Sequence, residues 1–156
     1  MISKLDYCNS VLAGVTRTQL ARLQSVLNAA ARLVFHARRS EHVTPLLRDL
    51  HWLKVPERIQ FRLCVLTFRC LHGSAPTYLS DGLHLTTASE VNRRLRSADV
   101  LTLSVPATRR STLGDRAFPV AAARAWNSLP SATRSAPSLG VFCRRLKTFL
   151  FESSFQ

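Results

Sequence analysis

The chain has 156 residues, 46% of them hydrophobic, and carries 22 Lys+Arg against 9 Asp+Glu for a formal net charge of +13. That length and apolar content suit one domain with an ordinary core. No run of about 18 apolar residues occurs, so neither a membrane span nor a membrane partner is expected. The opening MISKLDYCNS is too polar for a signal peptide, and an intracellular, soluble protein is expected, with nothing to separate nucleus from cytoplasm. Cys8, Cys64, Cys70 and Cys143 are scattered, which favours reduced core thiols over a disulfide framework. No paired C-x-x-C or Cys/His ligand spacing exists, so no metal and no cofactor is expected.

In chain order, Ile2, Leu5, Tyr7, Val11 and Leu12 suggest a first helix without an N-cap, ended by Ala13-Gly14. Leu20, Leu23, Leu27, Ala30 and Val34 stripe a second helix from about Thr18, read as its cap, to His36. The segment Val43–Gly73 reads as a short helix, a tight connection at His51-Trp52-Leu53-Lys54 and a long helix over about 55–72. Pro56 suits that helix's first turn, where a missing N–H costs nothing, and Glu57 suits the positive end of its dipole. Gly73 is placed for a left-handed cap, with Pro76 just beyond. Val55, Ile59, Leu63, Leu66 and Cys70 give one apolar face, and Phe61, Val65 and Phe68 widen it, as in a buried helix. The exception is Arg58, Arg62 and Arg69, which fall within an arc of about 40°. The chain is therefore expected to be mainly α, a bundle around a central beam with one basic stripe.

Pro76 to Leu79 reads as one further helical turn, and residues 80–99 as a flexible basic loop with Arg93, Arg94 and Arg96 close together. Leu101, Leu103 and Val105 alternate with Thr102 and Ser104, which predicts a strand and a possible small β-hairpin near 100–113. Arg109-Arg110 make a basic turn. Phe118 to Trp126 reads as a helix stopped at Asn127-Ser128-Leu129-Pro130, and Ser138 as the cap of a last helix from Leu139 to about Glu152. Arg144, Arg145 and Lys147 lie opposite its apolar stripe. One domain or domain fragment is expected over 1–156: a helical part to residue 79, the loop, then the hairpin with two helices.

The nine acids never adjoin, and two-metal phosphoryl transfer needs clustered carboxylates. There is no Gly-rich phosphate loop and no G-x-S-x-G elbow. Cys70 with His72 is the nearest approach to a nucleophilic pair, but no third orienting group is identifiable. Trp52 and Trp126 suit core anchoring better than base stacking. Among the cations only Lys4, Lys54 and Lys147 are lysine. The Arg fork matches phosphate oxygens, so this balance points to a polyanionic partner, although GC-rich coding also inflates Arg.

Five pieces together carry a family resemblance: LDYCNSVLAG, LARLQSVLNAAARLV, HVTPLLRDLHWLKVPERIQFRLCVLTFRCLHGSAPTYLSD, LSVPATRRSTLGDRAFPVAAARAWNSLP and SAPSLGVFCRRLKTFL. In order and spacing they resemble the C-terminal region that follows the polymerase domain in reverse transcriptases of LINE-type (non-LTR) retrotransposons, Jockey-like group. The resemblance covers nearly the whole chain. It implies an RNA-directed DNA polymerase as parent, whose catalytic aspartates lie upstream in an aromatic-x-Asp-Asp motif. No Asp-Asp occurs here, so no catalytic residue carries over and the chain is not expected to be an enzyme. The resemblance starts almost at Met1, which suggests a truncated element copy. The expected activity is RNA or DNA backbone binding, sequence-tolerant and salt-dependent, through Arg58, Arg62, Arg69, Arg93, Arg94, Arg96, Arg109, Arg110, Arg144, Arg145 and Lys147. The alternatives are a structural piece that packs on the upstream polymerase domains, or a non-functional open reading frame.

Overall fold

In the computed structural model, which describes residues 9–86 and 101–155, the chain is mainly α-helical. A 3-10 turn at Asn9–Leu12 precedes α1 (Arg17–Phe35), α2 (Val43–Asp49), α3 (Val55–Leu71) and α4 (Thr77–Ser80). Then come α5 (Ser111–Gly114), α6 (Phe118–Asn127), α7 (Ser131–Arg134) and α8 (Leu139–Phe155). No described helix is long and apolar enough to cross a membrane.

The beam is α3. Pro56 and Glu57 occupy its first turn, as the sequence predicts. At its far end Gly73 takes φ +65°, and the Ser74 N–H donates back to the Arg69 carbonyl at 2.9 Å, closing the helix with a left-handed residue. Two core clusters share this helix. Val55, Ile59 and Leu63 join Ala13, Leu27, Ala31 and Leu47 on the side of α1 and α2. Cys64 and Phe68 join Trp126, Ala123, Phe142, Leu146 and Leu150 on the side of α6 and α8. Phe142 is fully buried, with ring centroids 4.5 Å from Phe68 and 5.6 Å from Trp126. Thr67, also fully buried, satisfies its hydroxyl by donating to the Leu63 carbonyl at 2.8 Å.

Three local expectations are corrected. Helix α1 starts at Arg17, not Thr18, because Thr16 is the cap. Thr16 and Gln19 form a reciprocal capping box, the Gln19 N–H donating to the Thr16 hydroxyl at 3.4 Å and the Thr16 N–H to Gln19 Oε1 at 3.3 Å. The hairpin expected near 100–113 does not form. Leu103 instead makes an isolated antiparallel bridge with Leu85, with Thr86 N–H donating to Thr102 and Ser104 N–H to His84, both at 2.8 Å. On its other edge Leu103 bonds the Asn127 side chain twice, at 2.9 and 2.8 Å. Both edges of the extended segment are thus occupied, and 111–114 coils into a helical turn closed by Gly114 N–H to Arg110 O at 2.7 Å. Between the two expected C-terminal helices lies a further turn, α7, led by Pro130. Most of the expected basic loop, with Arg93, Arg94 and Arg96, lies outside the described residues, as do the residues of the first expected helix up to Cys8.

Candidate functional site

Helices α3 and α8 pack against one another. Lys54, which precedes α3, donates to the Ser154 carbonyl near the end of α8 at 2.6 Å, so the start of one helix lies beside the end of the other. Their basic residues therefore meet along a shared edge. Arg62 comes from α3, and Lys147 comes from α8. Both are exposed, and both line an open groove of about 380 Å³. Arg58 lines it one turn before Arg62, half-buried, its Nε–H donating to the Leu53 carbonyl at 2.9 Å. Arg69 continues the stripe. Burial pushes the Cys143 thiol on α8 upward, and the positive charges of Arg69 and Arg62 oppose that shift.

The remaining walls of the groove are His51, Trp52, Leu53 and Phe61, and among the described residues no carboxylate lines it. Trp52 and Phe61 are half-buried; the first packs on the α1–α2 core and the second on the α6–α8 core. His51 holds φ +52° in the tight connection, its Nδ1 2.8 Å from the Arg48 carbonyl and its ring edge-on to Phe151 at 5.5 Å. The described lining thus offers the exposed cations of Arg62 and Lys147 beside the rings of Trp52 and Phe61. That set suits an anion carried on a flat, stackable group.

The structure divides the cations that the sequence grouped by proximity. Arg58, Arg62 and Lys147 line one groove, and Arg69 is exposed on α3 outside that lining. Arg145 turns away and donates to the Ala132 carbonyl at 2.6 Å, at α7. Arg144 is exposed one position from it, outside the groove lining. Arg109 and Arg110 are exposed ahead of α5, also outside that lining. Two arginines absent from the sequence-based set have structural partners: Arg124 pairs with Asp115 at 3.1 Å, and Arg134 is buried, its Nη1 3.2 Å from the Thr102 hydroxyl. The Arg124 and Thr108 hydrogen bonds hold the Asp115 carboxyl below its ordinary range.

Trp126 is fully buried and donates its indole N–H to the Leu101 carbonyl at 2.6 Å, which makes it a core anchor. Trp52 is a wall of the groove, a role that sequence spacing gave no sign of. Cys70 is buried and His72 caps α3 with its ring stacked on Phe68 at 3.9 Å, so this pair is occupied by packing. Cys64 is fully buried, and desolvation pushes its thiol up to about 12. Among the described residues no group of three or more metal-ligating side chains comes together. No protein-family model matches this chain, and neither does any curated protein or solved structure.

Proposed function

We propose that this chain is a non-catalytic nucleic-acid-binding module, equivalent to the region C-terminal of the polymerase domain in a LINE-type reverse transcriptase. The observation that carries the binding role is the meeting of the exposed Arg62 and Lys147 on one groove whose described lining holds no carboxylate. The family assignment rests on the sequence resemblance alone. The module holds RNA or DNA by its phosphates. Such contacts fix position and carry no sequence information, so binding is sequence-tolerant and weakens with salt. In a larger polymerase the groove would keep template or target strand close to the palm.

The test is binding of the purified chain to a labelled RNA across a salt series, beside the Arg62→Glu/Lys147→Glu variant. Wild-type affinity should fall linearly on log–log axes, and the variant should bind at least tenfold more weakly, since two attractions become repulsions on the order of 1 kcal/mol each. Unchanged affinity in a folded variant would sink the proposal.

A second reading, a structural piece that docks on polymerase domains, draws on α1. Val26, Leu33 and Val34 are each more than half exposed there. Self-association or capture of a polymerase-domain fragment that survives high salt, without RNA binding, would favour it.

A further inference from the structure

Resting on the nucleic-acid reading above, we infer that the α3–α8 groove takes an unpaired strand, with a base laid against Trp52 and Phe61 while its phosphates sit on Arg62 and Lys147. Phosphate binding alone would need only the cations. This groove adds aromatic walls at the same place: Trp52 from the tight connection, and Phe61, next to Arg62 in the sequence of α3. Neither ring is fully covered, unlike the anchoring rings of Trp126 and Phe142. At about 100° per residue, Phe61 stands about 60° from Arg58 and about 100° from Arg62 around α3, so ring and guanidiniums border one recess. Lys147 joins the lining from α8.

The chemistry of this arrangement separates single strands from duplex. In a duplex both faces of each base are covered by neighbours, so the rings have nothing to stack on and only phosphate contacts remain. An unpaired strand offers a bare base face within one sugar–phosphate link of its charge. Every base has such a face, and among the described residues the lining carries no Asn, Gln or carboxylate to read base edges. The preference is therefore for unpaired over paired strands, with little discrimination among bases.

The experiment compares short oligouridine with a duplex RNA of matched length at one salt concentration, against wild type, Trp52→Leu and Trp52→Phe. Binding is read by anisotropy of the label and by tryptophan emission. Emission reports Trp52, because Trp126 is sealed in the core. The single strand should bind more tightly than the duplex and quench the emission. Trp52→Leu should weaken single-strand binding by about fivefold or more while leaving the salt slope and the duplex affinity in place. Trp52→Phe should recover most of the loss. Should Trp52→Leu not fold, as judged by circular dichroism, the wild-type quench and its absence in Trp52→Phe decide the matter. Equal affinity for both nucleic acids, or no quench, overturns the inference, yet leaves the backbone-binding reading standing if binding is still salt-dependent and lost in Arg62→Glu/Lys147→Glu. No binding of either nucleic acid by folded wild type overturns both.

Discussion

Two lysines on neighbouring elements should behave as opposites. Lys54 is half-buried, its ammonium 2.6 Å from the Ser154 carbonyl and 5.0 Å above the Phe155 ring, where it neutralises the negative end of α8. A hydrogen bond from a charged donor contributes about 1.5–3 kcal/mol and a partly exposed cation–π contact about 0.5–1 kcal/mol, less the cost of desolvating the ammonium. Lys54→Met, which keeps the stem and removes the charge, should therefore destabilise the fold by about 2 kcal/mol. For a domain of this size that lowers Tm by about 4–8 °C. Lys147 is exposed on the groove, and Lys147→Gln should move Tm by no more than about 1–2 °C. On RNA the order reverses. Lys147→Gln should flatten the log–log salt slope by about 0.7, one phosphate's worth for a single strand, whereas Lys54→Met should leave the slope alone. The assays are thermal melting followed by circular dichroism and RNA anisotropy over a salt series. If Lys54→Met melts with wild type, or if Lys147→Gln changes stability but not the slope, the division of roles drawn from the structure is wrong.

Other expected outcomes follow from the same geometry. Phe142→Ala empties the stack between Phe68 and Trp126 and should cost about 3–5 kcal/mol, visible as a lower urea midpoint. Arg145→Gln should scarcely change RNA affinity, because that guanidinium is committed to the Ala132 carbonyl, whereas Arg62→Gln should reduce it severalfold. The Cys64 thiol rises from 9.0 to about 12 on burial, so the folded state keeps the proton that the unfolded state loses. Its contribution is complete below pH 9 and is lost as pH climbs toward about 12, at a slope of about 1.4 kcal/mol per unit. Alkaline denaturation of Cys64→Ala should be shallower by that one proton; an identical slope would contradict the burial argument.

The central helix was legible because its signals are local: Pro56 in the first turn, Gly73 at the left-handed cap, and an apolar stripe at helical spacing. The stripe of Arg58, Arg62 and Arg69 was legible for the same reason. What faces that stripe was not. Lys147 joins it only through the packing of α8, and Arg144 and Arg145, its neighbours in sequence, point elsewhere because a helix turns each residue by about 100°. Trp52 is half-buried where Trp126 is fully buried, a difference decided by what packs over them. The alternation in 101–105 predicts a strand, but only an isolated bridge at Leu103 forms, because its partners, residues 84–86 and the Asn127 side chain, are set by tertiary structure and not by the following turn.

The most direct measurement is protection of Cys143 during RNA binding. This half-buried thiol lies on α8 one helical turn before the groove residue Lys147, while Cys64 and Cys70 are buried. In a Cys8→Ser background, maleimide should modify Cys143 in the free protein, and the rate should fall in proportion to the fraction of protein bound to RNA. RNA that binds at saturation while Cys143 reacts at its free rate would place the nucleic acid elsewhere and contradict the assignment of the α3–α8 groove.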